Sequence, residues 1–186
     1  MSIPTRSQCL RLLNQTGMPP HIQEHSILVA EIALYLGRLL NQNSIRLNIE
    51  LLEAGALLHD IAKARSLATG ENHAELGARM VHDLGYGRLA PIVQEHVHLD
   101  STRADGPVTE SLLVNYSDKR VKHDRIVTLE ERFLDLIDRY AKTEEHRARM
   151  RERLDLYFIL ERNIFYHLAI GPTQMELMSL CVQCRI

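Results

Sequence analysis

The segment EAGALLHDIAKA, residues 53–64, places a histidine and an aspartate directly after the apolar run AGALL. Apolar residues recur here at the spacings of a helix, so the run is typical of a buried helical face. An ionised carboxylate in such surroundings is unfavourable unless it is paired or bound to a metal ion. His59 and Asp60 are therefore candidates for a buried functional site.

Two other predicted helices carry a polar residue on an otherwise apolar face. His25 shares a stripe with Leu28, Val29 and Ile32, and Asp118 ends the segment LLVNYSD. Taken singly, a histidine on an apolar face is usually a hydrogen-bonded core residue, and a late aspartate is usually a cap or an ion-pair partner. Three helices that each direct such a group inward favour a shared site.

Hydrophobic periodicity is helical along almost the whole chain, and no window sustains the alternation of a strand. The pattern predicts an all-α protein in one domain, without an internal repeat or a linker. Glycine and proline mark most of the breaks. Helices are expected over 5–15, 21–41, 47–62, 73–84, 88–97, 108–122, 128–141 and 144–169, with a last one of about ten residues after Pro172 and loops over 63–72 and 99–107.

Composition is that of an ordinary globular protein. The 186 residues are 45% hydrophobic and 25% charged, and the net charge of -2 gives no strong signal for nucleic acid. No apolar run is long enough to cross a membrane, no secretory signal is visible, and the cysteines do not form a disulfide framework, so a cytoplasmic protein is expected. Cys181 and Cys184 are interpreted as small apolar residues on the final helix. The ten histidines are the unusual feature.

The order of the polar residues resembles the HD superfamily of metal-dependent phosphohydrolases. This resemblance implies a compact helical domain over 1–186, with a metal-binding core at about 21–125 and a helical extension at about 126–186. The matching segments are HSILVAEIA (25–33), EAGALLHDIAKA (53–64), NHAELGARMV (72–81), IVQEHVHLD (92–100) and YSDKRV (116–121).

The resemblance also implies the metal ligands. His25, His59, Asp60 and Asp118 match the four ligands of the first metal, and His73 and His96 match the additional histidines of members with two metals, in which Asp60 bridges both ions. The chemistry of the residues agrees, since four imidazoles and two carboxylates exceed what one ion takes from a protein while still binding water and substrate. One or two divalent ions per chain are expected, of Fe, Mn, Mg, Co or Ni.

Basic residues near these ligands are candidates for substrate binding. Lys63 follows Asp60 by three residues and should share its helical face, so Asp60 and Lys63 are the predicted catalytic residues. Lys119 and Arg120 adjoin Asp118. His98 follows His96 by two residues, so the two cannot face one ion unless the helix ends first. Lys63, His98, Lys119 and Arg120 are the predicted substrate-binding residues.

The expected activity is hydrolysis of a phosphoester or phosphoanhydride, in a small substrate such as a nucleotide or dinucleotide. The sequence lacks the Gly-Tyr-Pro signature of cyclic-di-nucleotide phosphodiesterases. Mixed-valent di-iron oxygenases of HD fold share the ligand order, and imidazole and carboxylate also suit iron. A non-catalytic signalling module is the third alternative. The helices of 128–186 match no motif and are available for a partner or a homodimer.

Overall fold

Helices account for most of the described residues, 2–43 and 45–175, of the computed structural model, and the predicted all-α class is confirmed. The helices are α1 (Arg6–Gln15), α2 (Pro20–Gln42), α3 (Ile49–Leu58), α4 (Lys63–Thr69), α5 (His73–Asp83), α6 (Ala90–Glu95), α7 (Glu110–Lys119), α8 (Leu129–Tyr140) and α9 (Glu144–Tyr166). Short 3-10 turns cover Gly87–Leu89, Ser101–Arg103 and Pro172–Met175. The predicted last helix, with Cys181 and Cys184, lies largely outside the described residues.

Most of the helices begin after a capping residue, whose side chain accepts a hydrogen bond from a backbone N–H of the first turn. Thr5 and Thr128 form capping boxes with Gln8 and Glu131. Asn72 accepts from the backbone N–H groups of Ala74 and Glu75 and so begins α5 at the candidate ligand His73. Asn48, Thr109 and Thr143 cap α3, α7 and α9 in the same way.

The helix predicted over 47–62 is shorter in the structure. It ends at Leu58, and a turn through His59–Ala62 leads into α4, which occupies part of the predicted 63–72 loop. The prediction of a loop was wrong because Gly70 is the left-handed cap of α4, with φ of 74°, rather than part of an irregular segment. His59 and Asp60 consequently lie in a turn between two helices.

A two-stranded hairpin replaces the end of the helix predicted over 108–122. Helix α7 ends at Lys119, and β1 (Val121–Lys122) pairs antiparallel with β2 (Arg125–Ile126). His123 forms the turn with φ of 58°, a conformation more accessible to histidine than to most residues. A hairpin this short offers too few residues for alternation to appear in the sequence.

Helix α7 occupies the centre of the fold. Its residues Leu112–Lys119 are all buried, and it packs against α2, α3 and α6. The surrounding core is one cluster that includes Cys9 of α1, Leu36 of α2, Leu57 of α3 and Leu160 of α9. Because Asp118 belongs to this central helix, its carboxylate is held in the interior. In the described part of the chain no helix is both long and apolar enough to span a membrane.

Close packing between α3 and α6 depends on Gly55. A Cβ atom added there would lie 2.8 Å from Ile92 Cγ2 and 3.0 Å from Ile92 Cδ1. We expect Gly55→Ala to lower the free energy of unfolding by about 1–3 kcal/mol, because steric overlap outweighs the better helix propensity of alanine. Urea denaturation followed by circular dichroism measures this change.

Gly171→Ala is the matched control, since an added Cβ atom there meets nothing within 4 Å. Its free energy of unfolding should stay within about 0.5 kcal/mol of the parent value. An increase in stability for Gly55→Ala would contradict the close approach of α3 and α6.

Candidate metal centre

The structure brings together the six predicted ligand residues from separate elements. His25 lies in α2, His59 and Asp60 lie in the turn after α3, and Asp118 lies in the last turn of α7. His73 is the first residue of α5, and His96 directly follows α6. Most of these residues thus stand at helix ends, where the chain changes direction and several side chains can reach one point.

One set of ligand atoms surrounds Asp118. Its Oδ1 atom lies 2.9 Å from His25 Nε2 and 3.7 Å from His59 Nε2. Two ligand atoms that each lie about 2.1 Å from a metal ion are about 3.0–3.5 Å apart at octahedral or tetrahedral angles. His25, His59 and Asp118 therefore have spacings close to those of a ligand set.

A second set surrounds Asp60. Its Oδ1 atom lies 3.3 Å from His73 Nε2 and 3.5 Å from His96 Nε2, and the two histidine nitrogens are 3.2 Å apart. The other oxygen of Asp60, Oδ2, lies 3.7 Å from His59 Nε2. The two carboxylate oxygens thus face different histidines, which is the orientation required of a carboxylate between two ions.

Backbone carbonyls fix the orientation of two imidazoles. His59 Nδ1 donates to the carbonyl of Ala56 at 2.7 Å, and His96 Nδ1 donates to that of Val93 at 2.6 Å. Each ring therefore directs the lone pair of Nε2 toward the cluster, as the outer partners of metal-bound histidines do.

Two atoms of the cluster are buried and have no hydrogen-bond partner among the described residues. They are His59 Nε2 and Asp60 Oδ1. Leaving such groups unsatisfied costs about 1–3 kcal/mol each, and more for a charged group. A bound cation would satisfy both, so the residues present fit a metal site.

The protonation states also suit metal binding. Burial lowers the pKa of His59 to about 4 and that of His73 to about 4, so both imidazoles are neutral near pH 7. Burial alone would raise the pKa of Asp60, but neighbouring imidazoles and Lys63 hold it well below its usual range. Lys119 and His25 likewise hold the pKa of Asp118 well below its usual range, although burial alone would raise it. Neutral imidazoles and ionised carboxylates are the forms that bind metals.

Lys63 stands at the mouth of the cluster. Its ammonium nitrogen lies 3.6 Å from Asp60 Oδ1 and 3.4 Å from His73 Nε2, and its side chain is 33% exposed. Lys63 lies beside Asp60, as their separation of three residues predicted. The two residues are joined by a turn rather than by a continuous helix.

Lys119 is buried and contacts the cluster from the inner side. Its ammonium donates to Asp118 Oδ2 at 2.5 Å and to the carbonyl of His96 at 3.2 Å. Burial opposes its charge, but the Asp118 carboxylate outweighs this effect and raises the pKa of Lys119. These contacts favour a role in positioning two ligands over the predicted direct contact with substrate.

Arg120 lies apart from the cluster. Its buried guanidinium donates to the carbonyl of Val127 at 2.7 Å, to the hydroxyl of Tyr116 at 2.6 Å and to Glu161 Oε2 at 3.0 Å. The sequence interpretation of Arg120 as a substrate-binding residue is corrected here, because these contacts join α7 to α9 and to the hairpin. Its position next to Asp118 did not reveal that the side chain points the other way.

His98 is exposed and follows the end of α6. In the described part of the chain no hydrogen bond or ion pair joins its ring to the ligand atoms, and its predicted role in substrate binding stays a prediction. Its backbone carbonyl accepts a hydrogen bond from Asn115 Nδ2 at 3.2 Å.

Two residues of this region were not identified from the sequence. Asn115 donates to the carbonyls of Glu95 and His98, which flank His96, and Tyr157 donates its hydroxyl hydrogen to Asn115 Oδ1. Asn115 precedes Asp118 by three residues on a buried helix. This spacing places both on one helical face and could have indicated Asn115 from the sequence. Tyr157 carries no local signal, because only folding brings α9 to this position.

Comparisons with known proteins agree with this arrangement. A family model described as the HD domain matches residues 22–143. An uncharacterized protein of Methanocaldococcus jannaschii is 28% identical over 109 residues, which are 55% of this chain and 63% of that protein.

Two further relatives are named tRNA (cytidine(56)-2'-O)-methyltransferase. The one from Picrophilus torridus is 28% identical over 162 residues, covering 80% of this chain and 44% of the relative. The one from Thermoplasma volcanium is 34% identical over 96 residues, covering 51% of this chain and 26% of the relative. The match thus spans less than two thirds of each relative's length. No solved structure matches the chain.

Proposed function

The chain belongs to the HD domain family, whose model matches residues 22–143, and we therefore propose that it is a metal-dependent hydrolase of phosphoesters or phosphoanhydrides. One observation supports this proposal above the others. Six imidazole and carboxylate side chains converge, and two of their buried ligand atoms have no hydrogen-bond partner among the described residues. A fold alone would not fix the activity, so the proposal rests on this site.

The two sets of ligand atoms suggest two ion positions. His25, His59 and Asp118 would hold one divalent cation, His73 and His96 would hold a second, and Asp60 would contact both. When bound, divalent cations supply a hydroxide nucleophile near neutral pH and neutralise phosphoryl oxygens. Fe, Mn, Co and Ni accept this mixture of nitrogen and oxygen ligands, whereas Mg²⁺ prefers sites with more oxygen ligands.

The chain's own residues would orient the substrate at the open side of the centre. Side-chain exposure is 33% for Lys63, 20% for His73 and 12% for His25, whereas that of His59 is 0%. The opening therefore lies on the side of Lys63 and His73. An ammonium group at this edge can bind a phosphoryl oxygen and stabilise the charge that develops during hydrolysis.

A screen for phosphate release tests the proposed function. The protein is loaded in turn with Mn²⁺, Fe²⁺, Co²⁺, Ni²⁺ and Mg²⁺ and incubated with phosphomonoesters, phosphodiesters, nucleoside triphosphates and dinucleoside polyphosphates, while oxygen consumption is recorded in parallel. Metal-dependent phosphate release or phosphodiester cleavage without oxygen uptake is the expected result. Oxygen uptake without such cleavage would instead select the di-iron oxygenase alternative.

We expect Lys63→Ala to lower kcat/KM about 10²-fold while leaving the bound metal unchanged, because Lys63 contacts the ligands but supplies no lone pair. Steady-state kinetics together with metal analysis of the same sample provide the measurement. Lys63→Arg should restore part of the activity by keeping the positive charge.

Arg65→Ala is the control for Lys63→Ala, since Arg65 lies on the same short helix and is exposed. Its kcat/KM should remain within about twofold of the parent value. Equal losses for both variants would show that α4 acts through its fold or its general charge.

The names of two relatives offer no second candidate activity. The match covers only 44% and 26% of the two tRNA methyltransferases, so their methyl transfer is not carried over to this chain. A hydrolytic role for the matched helical region is compatible with its presence in longer proteins.

A further inference from the structure

The end of α6 is held by two side chains of the central helix α7. A helix leaves its last backbone carbonyls without partners inside the helix. Asn115 Nδ2 donates to the carbonyl of Glu95 at 2.6 Å, and Lys119 Nζ donates to that of His96 at 3.2 Å. Asn115 Nδ2 also donates to the carbonyl of His98 at 3.2 Å. These hydrogen bonds fix the backbone on both sides of His96 and thereby the position of its imidazole.

Tyr157 of α9 supports both of these side chains. Its hydroxyl donates to Asn115 Oδ1, and the Lys119 ammonium lies over its ring, 5.8 Å from the centroid. Tyr157 is itself buried, and its ring packs against that of Phe133 with centroids 5.2 Å apart. Because the amide oxygen of Asn115 is bound to the hydroxyl, the two N–H groups of the amide are directed toward the end of α6.

The ligand that this network supports belongs to one of the two ligand sets. His96 Nε2 lies 3.2 Å from His73 Nε2 and 3.5 Å from Asp60 Oδ1. In the described part of the chain, no hydrogen bond joins Asn115 or Tyr157 to the histidines of the other set, His25 and His59. Removal of a group that orients a metal ligand typically costs about 10–100-fold in metal affinity. A change at Tyr157 should therefore act on one ion position more than on the other.

We propose that Tyr157 is a positioning residue for the second metal position, the one formed by His73, His96 and Asp60, and that it acts through Asn115 on His96. This inference rests on the proposed function, of which the two ion positions are a part, and deepens it. Tyr157 lies on α9, beyond residues 22–143 that match the family model. The second metal position would thus depend on a helix outside the matched region.

Calorimetric titration of the metal-free protein with Mn²⁺ tests the proposal without requiring turnover. We expect Tyr157→Phe to weaken Mn²⁺ binding at the second position about tenfold and at the first by less than about threefold. Phenylalanine keeps the ring beside Lys119 and removes only the hydroxyl. A parallel titration of His73→Ala identifies the second position, because this variant should lose that binding step and keep the other.

Tyr116→Phe is the matched control. Tyr116 is also buried, and its hydroxyl joins α7 to α9 by donating to Glu161 Oε2 at 2.5 Å and accepting from Arg120 at 2.6 Å. Both variants should lower the melting temperature of the metal-free protein, since each removes a buried hydroxyl. Only Tyr157→Phe should lose Mn²⁺ affinity. Equal losses of affinity in the two variants, or none in Tyr157→Phe, would overturn the proposal.

Asn115→Leu tests the route of the effect, because leucine keeps the volume of the side chain but donates no hydrogen bond. Mn²⁺ affinity at the second position should fall at least as far as in Tyr157→Phe. Adding Tyr157→Phe to Asn115→Leu should cost less than about a further twofold, because the hydroxyl acts through the amide. Fully additive losses would contradict this route.

The outcome for the positioning role is separate from that for the proposed function. Binding of a single Mn²⁺ ion by the parent protein would overturn the role of Tyr157 and leave a single-ion hydrolase possible. Absence of phosphate release from every substrate would instead count against the proposed function, and the Mn²⁺ titrations would still decide the role of Tyr157.

Discussion

Asp60→Asn is expected to lower kcat/KM for phosphate hydrolysis by about 10³-fold or more and to reduce the bound metal. Asp60 carries this large effect because its two oxygens face different histidines, with Oδ1 near His73 and His96 and Oδ2 near His59. An amide keeps the shape of the side chain but loses the charge and one lone-pair acceptor. Metal analysis and steady-state kinetics on the same preparation measure both losses.

The control for Asp60→Asn is Asp83→Asn, the same chemical change at a side chain that is 81% exposed. This variant should keep its metal and its activity. Circular dichroism should show that both variants are folded, since asparagine fits the same volume. Full metal content and turnover in Asp60→Asn would rule out Asp60 as a ligand and would overturn the proposed mechanism.

Removing the metal with a chelator should abolish hydrolysis and lower the melting temperature by about 5–10 °C. A ligand present at about 100 times its Kd raises the free energy of unfolding by about 2.7 kcal/mol. Each kcal/mol of this free energy shifts Tm by about 2–4 °C in a chain of this size. The effect should be large here, because the metal-free protein keeps His59 Nε2 and Asp60 Oδ1 buried without a hydrogen-bond partner among the described residues. Differential scanning calorimetry before and after chelation gives the shift.

Adding Mn²⁺ back should restore both activity and melting temperature, whereas Asp60→Asn should show a much smaller shift. Titration of the metal-free protein is expected to return two ions per chain. A value of one would leave a single-ion enzyme built on His25, His59 and Asp118, with His73 and His96 available for substrate. Activity that survives complete metal removal would exclude the proposed mechanism.

Local patterns in the sequence were sufficient for most helices. Caps such as Thr5, Thr128 and Thr143 and the repeated apolar spacing are determined within a few residues, and so α1, α8 and α9 begin within a residue of their predicted starts. The break after Leu58 was missed because the residues on both sides of it favour a helix. Only the tertiary contacts of the turn at His59–Ala62 select the observed conformation.

The six candidate ligands were also predicted from the sequence. Apolar surroundings indicated His25, His59, Asp60 and Asp118, whereas His73 and His96 were implied by the family resemblance. Their spatial convergence is a property of the fold, since His25 and Asp118 are 93 positions apart yet lie within 2.9 Å. Arg120 shows the opposite case. It adjoins Asp118 in the chain, but its side chain points away and joins Tyr116 and Glu161.

The sequence by itself determined the helical class, the family resemblance and the identity of the candidate ligands, because these depend on residue type and on short spacings. Tertiary structure alone decided which oxygen of Asp60 faces which histidine and how Lys119 differs from Arg120. It also decided that Tyr157 of α9 contacts Lys119 and Asn115 beside the centre. Such contacts join residues distant in the chain, and their geometry depends on how whole helices pack, which no local periodicity records.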